Sequence, residues 1–174
     1  MTKHIADAFQ FCPRCGAETQ ATGTSPFACK ECGFVFYFSP VAAVGGIVVN
    51  SNNELLFLVR GRDPGKGKFG LPGGFVDPGE PLEQSLSREV MEETSLTVTR
   101  ASYLCSFPNQ YTYRGITIDV LDVFFECRVD SFDPLTAQPG EVESFHIARP
   151  SLEILDRFAF ESNRRAVEFF LTQE

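Results

Sequence analysis

Four of the chain's six cysteines fall in two Cys-x-x-Cys pairs, Cys12 with Cys15 and Cys29 with Cys32, each followed by glycine, with thirteen residues between the pairs. No other feature restricts the fold so strongly. Two such turns can each present two thiolates to one side, and together they complete the tetrahedral four-sulfur shell that zinc favours. Gly16 and Gly33 close the turns, where a positive φ lets backbone N–H groups face the sulfurs. About forty residues bury too little apolar surface to fold unaided, so a bound ion would supply the missing folding free energy. Two disulfides are the other use of four cysteines, and they need an oxidising compartment. Residues 1–7 lack the apolar run of a secretory signal, which makes a cytoplasmic location and reduced thiols the expectation. A four-thiolate shell leaves no open position, so its zinc is expected to be structural. Cys105 and Cys127 sit far apart in apolar, strand-like surroundings and read as core residues.

The aromatic run 34–38 reads as a strand that ends at Pro40, and this divides the chain into a zinc ribbon, residues 1–39, and a larger domain, residues 40–174. In the larger part, 41–49 and 54–60 flank an Asn50-Ser51-Asn52-Asn53 turn and predict a hairpin. Residues 64–81 carry six glycines and four prolines, the composition of a long functional loop. Residues 82–94 contain neither, and Leu82, Leu86 and Val90 form one apolar stripe, which predicts the central helix. A long strand is expected over 116–129 and a second helix over 162–171. Strands alternating with two or three helices give an α/β or α+β layered domain.

Charge excludes some functions. The chain has 15 Lys and Arg against 23 Asp and Glu, a formal net charge of −8. Residues 1–40 hold three of each sign (Lys3, Arg14 and Lys30 against Asp7, Glu18 and Glu31), so the excess lies in the larger part. Bulk attraction to nucleic acid is therefore disfavoured. The longest apolar stretch, 41–49, contains Gly45 and Gly46 and is too short to cross a bilayer as a helix, so no membrane partner is expected. A local anion site stays open, because Arg60, Arg62, Lys66 and Lys68 fall within nine positions. A solvated basic loop accounts equally well for the same four residues.

The central helix is built against its own stability. Glu89, Glu92 and Glu93 crowd its last turns, at the negative end of the helix dipole. At 100° per residue, Glu89 and Glu93 project within about 20° of Leu82, along the stripe meant for burial. Buried like charges are costly unless something cancels them, and Mg²⁺ or Mn²⁺ does so with hard oxygen ligands at i, i+3 and i+4. Three glutamates alone would also suit a solvated acidic face.

The wider spacing decides between these readings. Gly74 is followed after five residues by Glu80, and after seven more by Arg88-Glu89-Val90-Met91-Glu92-Glu93-Thr94-Ser95-Leu96. This resembles the signature of the Nudix hydrolases at eight of nine specified positions, with Leu71-Pro72-Gly73 in front as that family usually has. The departure is Ser95, where the family has glycine just past the helix end; a positive φ there would cost serine roughly 1 kcal/mol relative to glycine. The resemblance implies an α-β-α sandwich and hydrolysis of a nucleoside diphosphate linked to another group. It implies that Glu89, Glu92 and Glu93 hold the divalent ions, that Glu80 and Arg88 brace loop and helix, and that Gly74 permits a close turn. A further carboxylate from a later loop is Glu141 or Glu143, although an exposed acidic turn reads equally well.

A four-cysteine ribbon before a Nudix domain is similar to the NADH pyrophosphatase-like group, but that group's Ser-Gln-Pro-Trp-Pro-Phe-Pro-x-Ser motif is missing. The corresponding segment is Ser106-Phe107-Pro108-Asn109-Gln110-Tyr111, and the chain has no tryptophan. Phe107, Tyr111 and Tyr113 could stack on a base or simply pack beside the long strand. The expected substrate is a small-molecule nucleotide such as NAD(H) or ADP-ribose, with Arg60, Arg62 and Lys68 meeting its phosphates and AMP as one product. The chain is also compatible with a homodimer. Two rival functions remain open: a zinc-ribbon protein whose Nudix fold senses a nucleotide, and a ribbon that grips RNA for cap removal, which the charge distribution opposes.

Overall fold

The computed structural model describes residues 2–19, 22–149 and 152–173, and its contacts divide the chain into two units. One unit comprises Met1–Val41 with Gln110–Val120; the other comprises Ala42–Asn109 with Leu121–Glu174.

In the first unit, β1 (Lys3–His4) runs parallel to the start of β8 (Ile116–Arg128), with Lys3 opposite Ile116. This pairing draws the tip of a later hairpin into the N-terminal unit, which local patterns in the sequence could not indicate. His4 Nε2 lies 3.1 Å from Asp119 Oδ2 beside the pairing. The aromatic run expected as a strand is shorter in fact: β2 (Phe27–Ala28) and β3 (Val35–Phe36) form a two-stranded antiparallel ribbon. Its core is small, with Cys12, Phe27 and Cys29 buried and Phe9, Cys32, Phe34 and Phe38 packed around them.

The second unit is an α-β-α sandwich. Its mixed sheet places β4 (Val41–Val49) between β8 and β5 (Leu55–Arg60), and β5 also pairs with β6 (Phe69–Gly70) and β9 (Val142–Ala148). β7 (Arg100–Tyr113) pairs with β8. The β4–β5 hairpin forms as the turn chemistry predicts. Asn50 Oδ1 accepts from the backbone N–H groups of Asn52 (2.9 Å) and Glu54 (3.0 Å), and Asn53 takes a left-handed φ of 57°. Strand alternation then serves two cores. Ile47, Val49, Leu55 and Phe57 face α2 (Glu161–Leu171) through Ala166, Val167 and Phe170, whereas Val44, Val48 and Leu56 face α1 (Leu82–Thr94) through Leu86 and Val90. Cys105 and Cys127 are buried, one in each core. Burial pushes their thiols up, to about 11 and about 12, which suits inert packing residues. No helix among the described residues is long and apolar enough to cross a membrane.

Helix α1 ends at Ser95 with φ 62° and ψ 18°, and the Ser95 N–H donates to the Met91 carbonyl at 2.8 Å. The left-handed turn therefore forms in spite of the serine. Because a Cβ in that conformation costs on the order of 1 kcal/mol, Ser95→Gly is expected to stabilise the protein by about that amount. A thermal melt should rise by about 2–4 °C. An unchanged or lower melting temperature would mean that the turn carries no such strain.

Candidate active site

The loop between β6 and α1 is held by backbone bonds to β4. The Gly46 N–H donates to the Pro72 carbonyl (2.8 Å) and the Val44 N–H to the Gly74 carbonyl (2.9 Å). The chains come so close that a Cβ on Gly73, whose φ is 149°, would lie 2.1 Å from the Val44 carbonyl oxygen. Only glycine fits there. The Gly73 N–H then donates to Glu93 Oε2 at 2.8 Å, tying the loop to the last turn of α1. Gly74 has a different reason to lack a side chain: its Cβ would fall 2.6–2.7 Å from the Glu89 carboxylate. Loop and helix thus meet at a junction lined by the Glu89 and Glu93 carboxylates.

Arg88 organises this junction. Its Nε and Nη2 donate to the two oxygens of Glu80, each at 3.0 Å, a bidentate pair that locks the loop to the helix. Nη1 donates to Glu89 Oε1 (2.7 Å) and Glu92 Oε2 (3.4 Å), and Nη2 also reaches Ser85 Oγ (3.2 Å). The hydrogen bonds from Arg88 hold the Glu80 carboxyl below its ordinary range. Glu89 moves the other way, because burial raises it more than Arg88 lowers it, and the charges of Glu92 and Glu141 add to the rise. Glu93 is 8% exposed. Burial pushes its carboxyl up to about 8 against the hydrogen bond from Gly73, with Glu89 and Glu141 raising it further and Arg60 opposing them.

Glu89 and Glu93 lie within electrostatic reach of Glu141, which the sequence offered as one of two options, and Glu92 is joined to Glu89 through Arg88. Glu141 accepts from Arg62 Nη2 at 2.7 Å, while Glu143 is exposed on β9. The basic group separates. Arg60 lies within electrostatic reach of Glu93 and donates from Nε to the Pro64 carbonyl at 2.8 Å, whereas Lys66 and Lys68 are exposed on the loop. Phe107 is packed on Phe124, and the Arg165 guanidinium lies 4.1 Å above its ring. Tyr111 and Tyr113 belong to the hairpin tip of the other unit. Ser85 was not singled out in the sequence, although a fully buried serine three residues before Arg88 is the kind of residue that fixes a guanidinium.

Could these groups hold divalent ions? Glu89, Glu92 and Glu93 supply hard oxygens at i, i+3 and i+4 of the kind Mg²⁺ and Mn²⁺ prefer, although among the described residues only the four cysteines, and not these carboxylates, already bring their ligand atoms within 4.8 Å of one another. In the N-terminal unit, Cys12, Cys15, Cys29 and Cys32 place their sulfurs within 4.8 Å of one another, with Cys12–Cys32 at 3.7 Å and Cys15–Cys29 at 3.8 Å. An ion with metal–sulfur bonds of about 2.3 Å in a tetrahedron requires edges of about 3.8 Å, so this set also fits. Burial raises the Cys12 thiol, but the backbone N–H groups of Cys15 and Arg14 and the thiols of Cys29 and Cys15 bring it down to about 7. The Ala17 N–H lowers Cys15, yet its three sulfur neighbours and burial push it up to about 12. Sulfurs this close do not all ionise unless a cation joins them.

A glycine-clamped loop, an Arg88-centred carboxylate cluster and an α-β-α sandwich agree with a match of residues 39–168 to the NUDIX domain model. The chain belongs to the NUDIX domain family. The ADP-ribose pyrophosphatase of Methanocaldococcus jannaschii is 47% identical over 60 residues, 34% of this chain and 35% of that protein. The NAD-capped RNA hydrolase NudC of Haemophilus influenzae is 35% identical over 109 residues, 60% of this chain and 40% of that one. The chain thus spans less than half the length of both NUDIX relatives. A crystal structure of a NUDIX hydrolase from Nitrosomonas europaea shares the fold, with a TM-score of 0.68 at 22% identity over 95% of this chain and 92% of that one.

Proposed function

We propose that this chain hydrolyses the diphosphate of a nucleoside diphosphate joined to a second group, ADP-ribose or NAD(H) foremost, with Mg²⁺ or Mn²⁺ at Glu89, Glu92 and Glu93, and releases AMP. The observation that carries this is the burial of Glu93 against the Gly73 N–H, with Glu89 and Glu141 facing it. A cluster so costly in isolation is explained by binding cations. The ions, when bound, neutralise the diphosphate and acidify the attacking water. Around them, Arg88 and Glu80 keep loop and helix in register, Gly73 orients Glu93, and Arg60 and Arg62 offer positive charge to the phosphates. Release of Arg62 from Glu141 by a substrate phosphate would leave that carboxylate able to take a proton from water. The proposed Zn²⁺ at Cys12, Cys15, Cys29 and Cys32 folds the N-terminal unit and has no open position for chemistry.

A second reading, removal of an NAD cap from RNA, is favoured by the name of the Haemophilus influenzae relative. The same chemistry serves both readings, and only the group beyond the diphosphate differs. Turnover of ADP-ribose, NADH and an NAD-capped oligonucleotide, compared at equal concentration and at two salt concentrations, separates them. Preference for the small molecules at both salts supports the first reading. A capped oligonucleotide favoured at low salt and lost at high salt supports the second.

Gly74→Ala tests the carboxylate placement. The added methyl must push the Glu89 carboxylate aside, which a flexible side chain allows at little cost in stability. Turnover is expected to fall by about tenfold to a hundredfold with the melting temperature nearly unchanged. Kinetics across a range of Mg²⁺ concentrations that match the wild type would refute the placement of Glu89.

A further inference from the structure

The loop that orients Glu93 is also pinned from outside the Nudix signature, by the first turn of α2. Asn163 Oδ1 accepts from the Leu71 N–H at 3.1 Å. Leu71 is buried and lies just past β6, where the sheet supplies its amide with no partner among the described residues. Pro72 follows with its fixed φ, and Gly73, which donates to Glu93, comes next. The placement of one amide is therefore passed through a stiff residue to the carboxylate contact. The turn bearing Asn163 is itself seated firmly. Ser162 Oγ donates to the buried Asp122 carboxylate, and Asn109 Nδ2 donates to the same oxygen at 2.9 Å. Just before it, the Ala159 N–H donates to the Phe69 carbonyl at 2.8 Å and the Arg157 guanidinium lies 3.8 Å over the Phe69 ring.

We infer that Asn163 is a positioning residue for the metal-binding carboxylates, acting through Leu71 and Gly73 on Glu93. It touches neither substrate nor ion. The inference rests on the proposed ion site at the glutamates, and on the hydrolase reading only for its kinetic consequence, because ion binding is measured without substrate. Asn163→Leu keeps the approximate shape and removes the acceptor, whereas Asn163→Asp keeps an acceptor oxygen at the same place and suits a helix N-terminus. Manganese binding by electron paramagnetic resonance on the full chain should weaken about tenfold in the Leu variant and stay near wild type in the Asp variant. In turnover, kcat should fall about tenfold for Asn163→Leu while KM for ADP-ribose stays within about twofold, and the Asp variant should restore kcat. If Asn163→Leu does not fold, Asn163→Ala removes the acceptor without adding apolar volume and carries the same expectation.

Manganese binding equal to wild type in a folded variant without the acceptor would overturn the inference. Equal impairment of the Asp and Leu variants would overturn it as well, since the acceptor would then be irrelevant. Wild-type protein that binds manganese and cleaves no nucleotide would instead refute the hydrolase reading, and the binding comparison would still decide the role of Asn163.

Discussion

Glu93→Gln is expected to lose at least about a hundredfold in turnover at saturating Mg²⁺ while folding normally. Gln keeps the size of Glu and an oxygen that can accept from the Gly73 N–H, so the loop stays tied to α1. What disappears is the carboxyl's capacity to ionise against a bound cation, in a site where burial, Glu89 and Glu141 otherwise push it up to about 8. About 3 kcal/mol of lost transition-state stabilisation, a modest share of what a bound divalent ion supplies, corresponds to roughly that hundredfold. Stability should move the other way. Burial pushes the Glu93 carboxyl up to about 8, so near pH 7 the metal-free fold bears the cost of keeping it protonated; glutamine removes that cost, so in EDTA the variant's melting temperature should equal or exceed that of the wild type. Kinetics and a melt in EDTA check both halves. Undiminished turnover would show that Glu93 does not hold an ion.

The second large effect lies in the N-terminal unit. Cys29→Ser is expected to abolish tight zinc binding, from about one ion per chain to none, and to unfold the ribbon. Three buried residues and a few half-buried aromatics are too small a core to persist once an interaction of about 10–16 kcal/mol is lost. The Cys29 N–H donates to the Phe34 carbonyl and the Gly33 N–H to the Cys29 carbonyl, so those amides report directly on the ribbon. Elemental analysis should give no zinc, and hydrogen exchange should show Cys29 and Gly33 unprotected while the sheet amides of β4 and β5 stay protected. Protection retained at Cys29 and Gly33, or two disulfides in the wild-type protein, would contradict a zinc-built unit.

What the sequence made legible was local. Leu82–Thr94 is helical as its stripe predicts, because glycine and proline crowd the loop before it and are absent within it. The β4–β5 hairpin follows from Asn50, whose side chain closes the turn on its own neighbours. Less was visible wherever the partner is distant in sequence. β7 contains Pro108 and polar residues at many positions, and it is a strand because β8 lies beside it. β9 follows directly on the acidic turn, and its pairing with β5 brings Glu141 to Arg62 across 79 positions. The nine-residue window holding Arg60, Arg62, Lys66 and Lys68 suggested one anion patch, but the loop turns each side chain to different surroundings. Phe107 was legible as an aromatic and not as one capped by Arg165. Nothing around Asn163 in the sequence announces its bond to Leu71.

Whether the buried carboxylates around Glu93 hold cations for cleavage within a diphosphate is tested most directly by chromatography of ADP-ribose incubated with the protein and Mg²⁺. The expected products are AMP and ribose 5-phosphate, with the reaction stopped promptly by EDTA before zinc leaves the cysteines. Intact ADP-ribose, together with no cleavage across a panel of nucleoside diphosphate derivatives and tight calorimetric binding of one of them, would contradict that role and make the fold a nucleotide sensor.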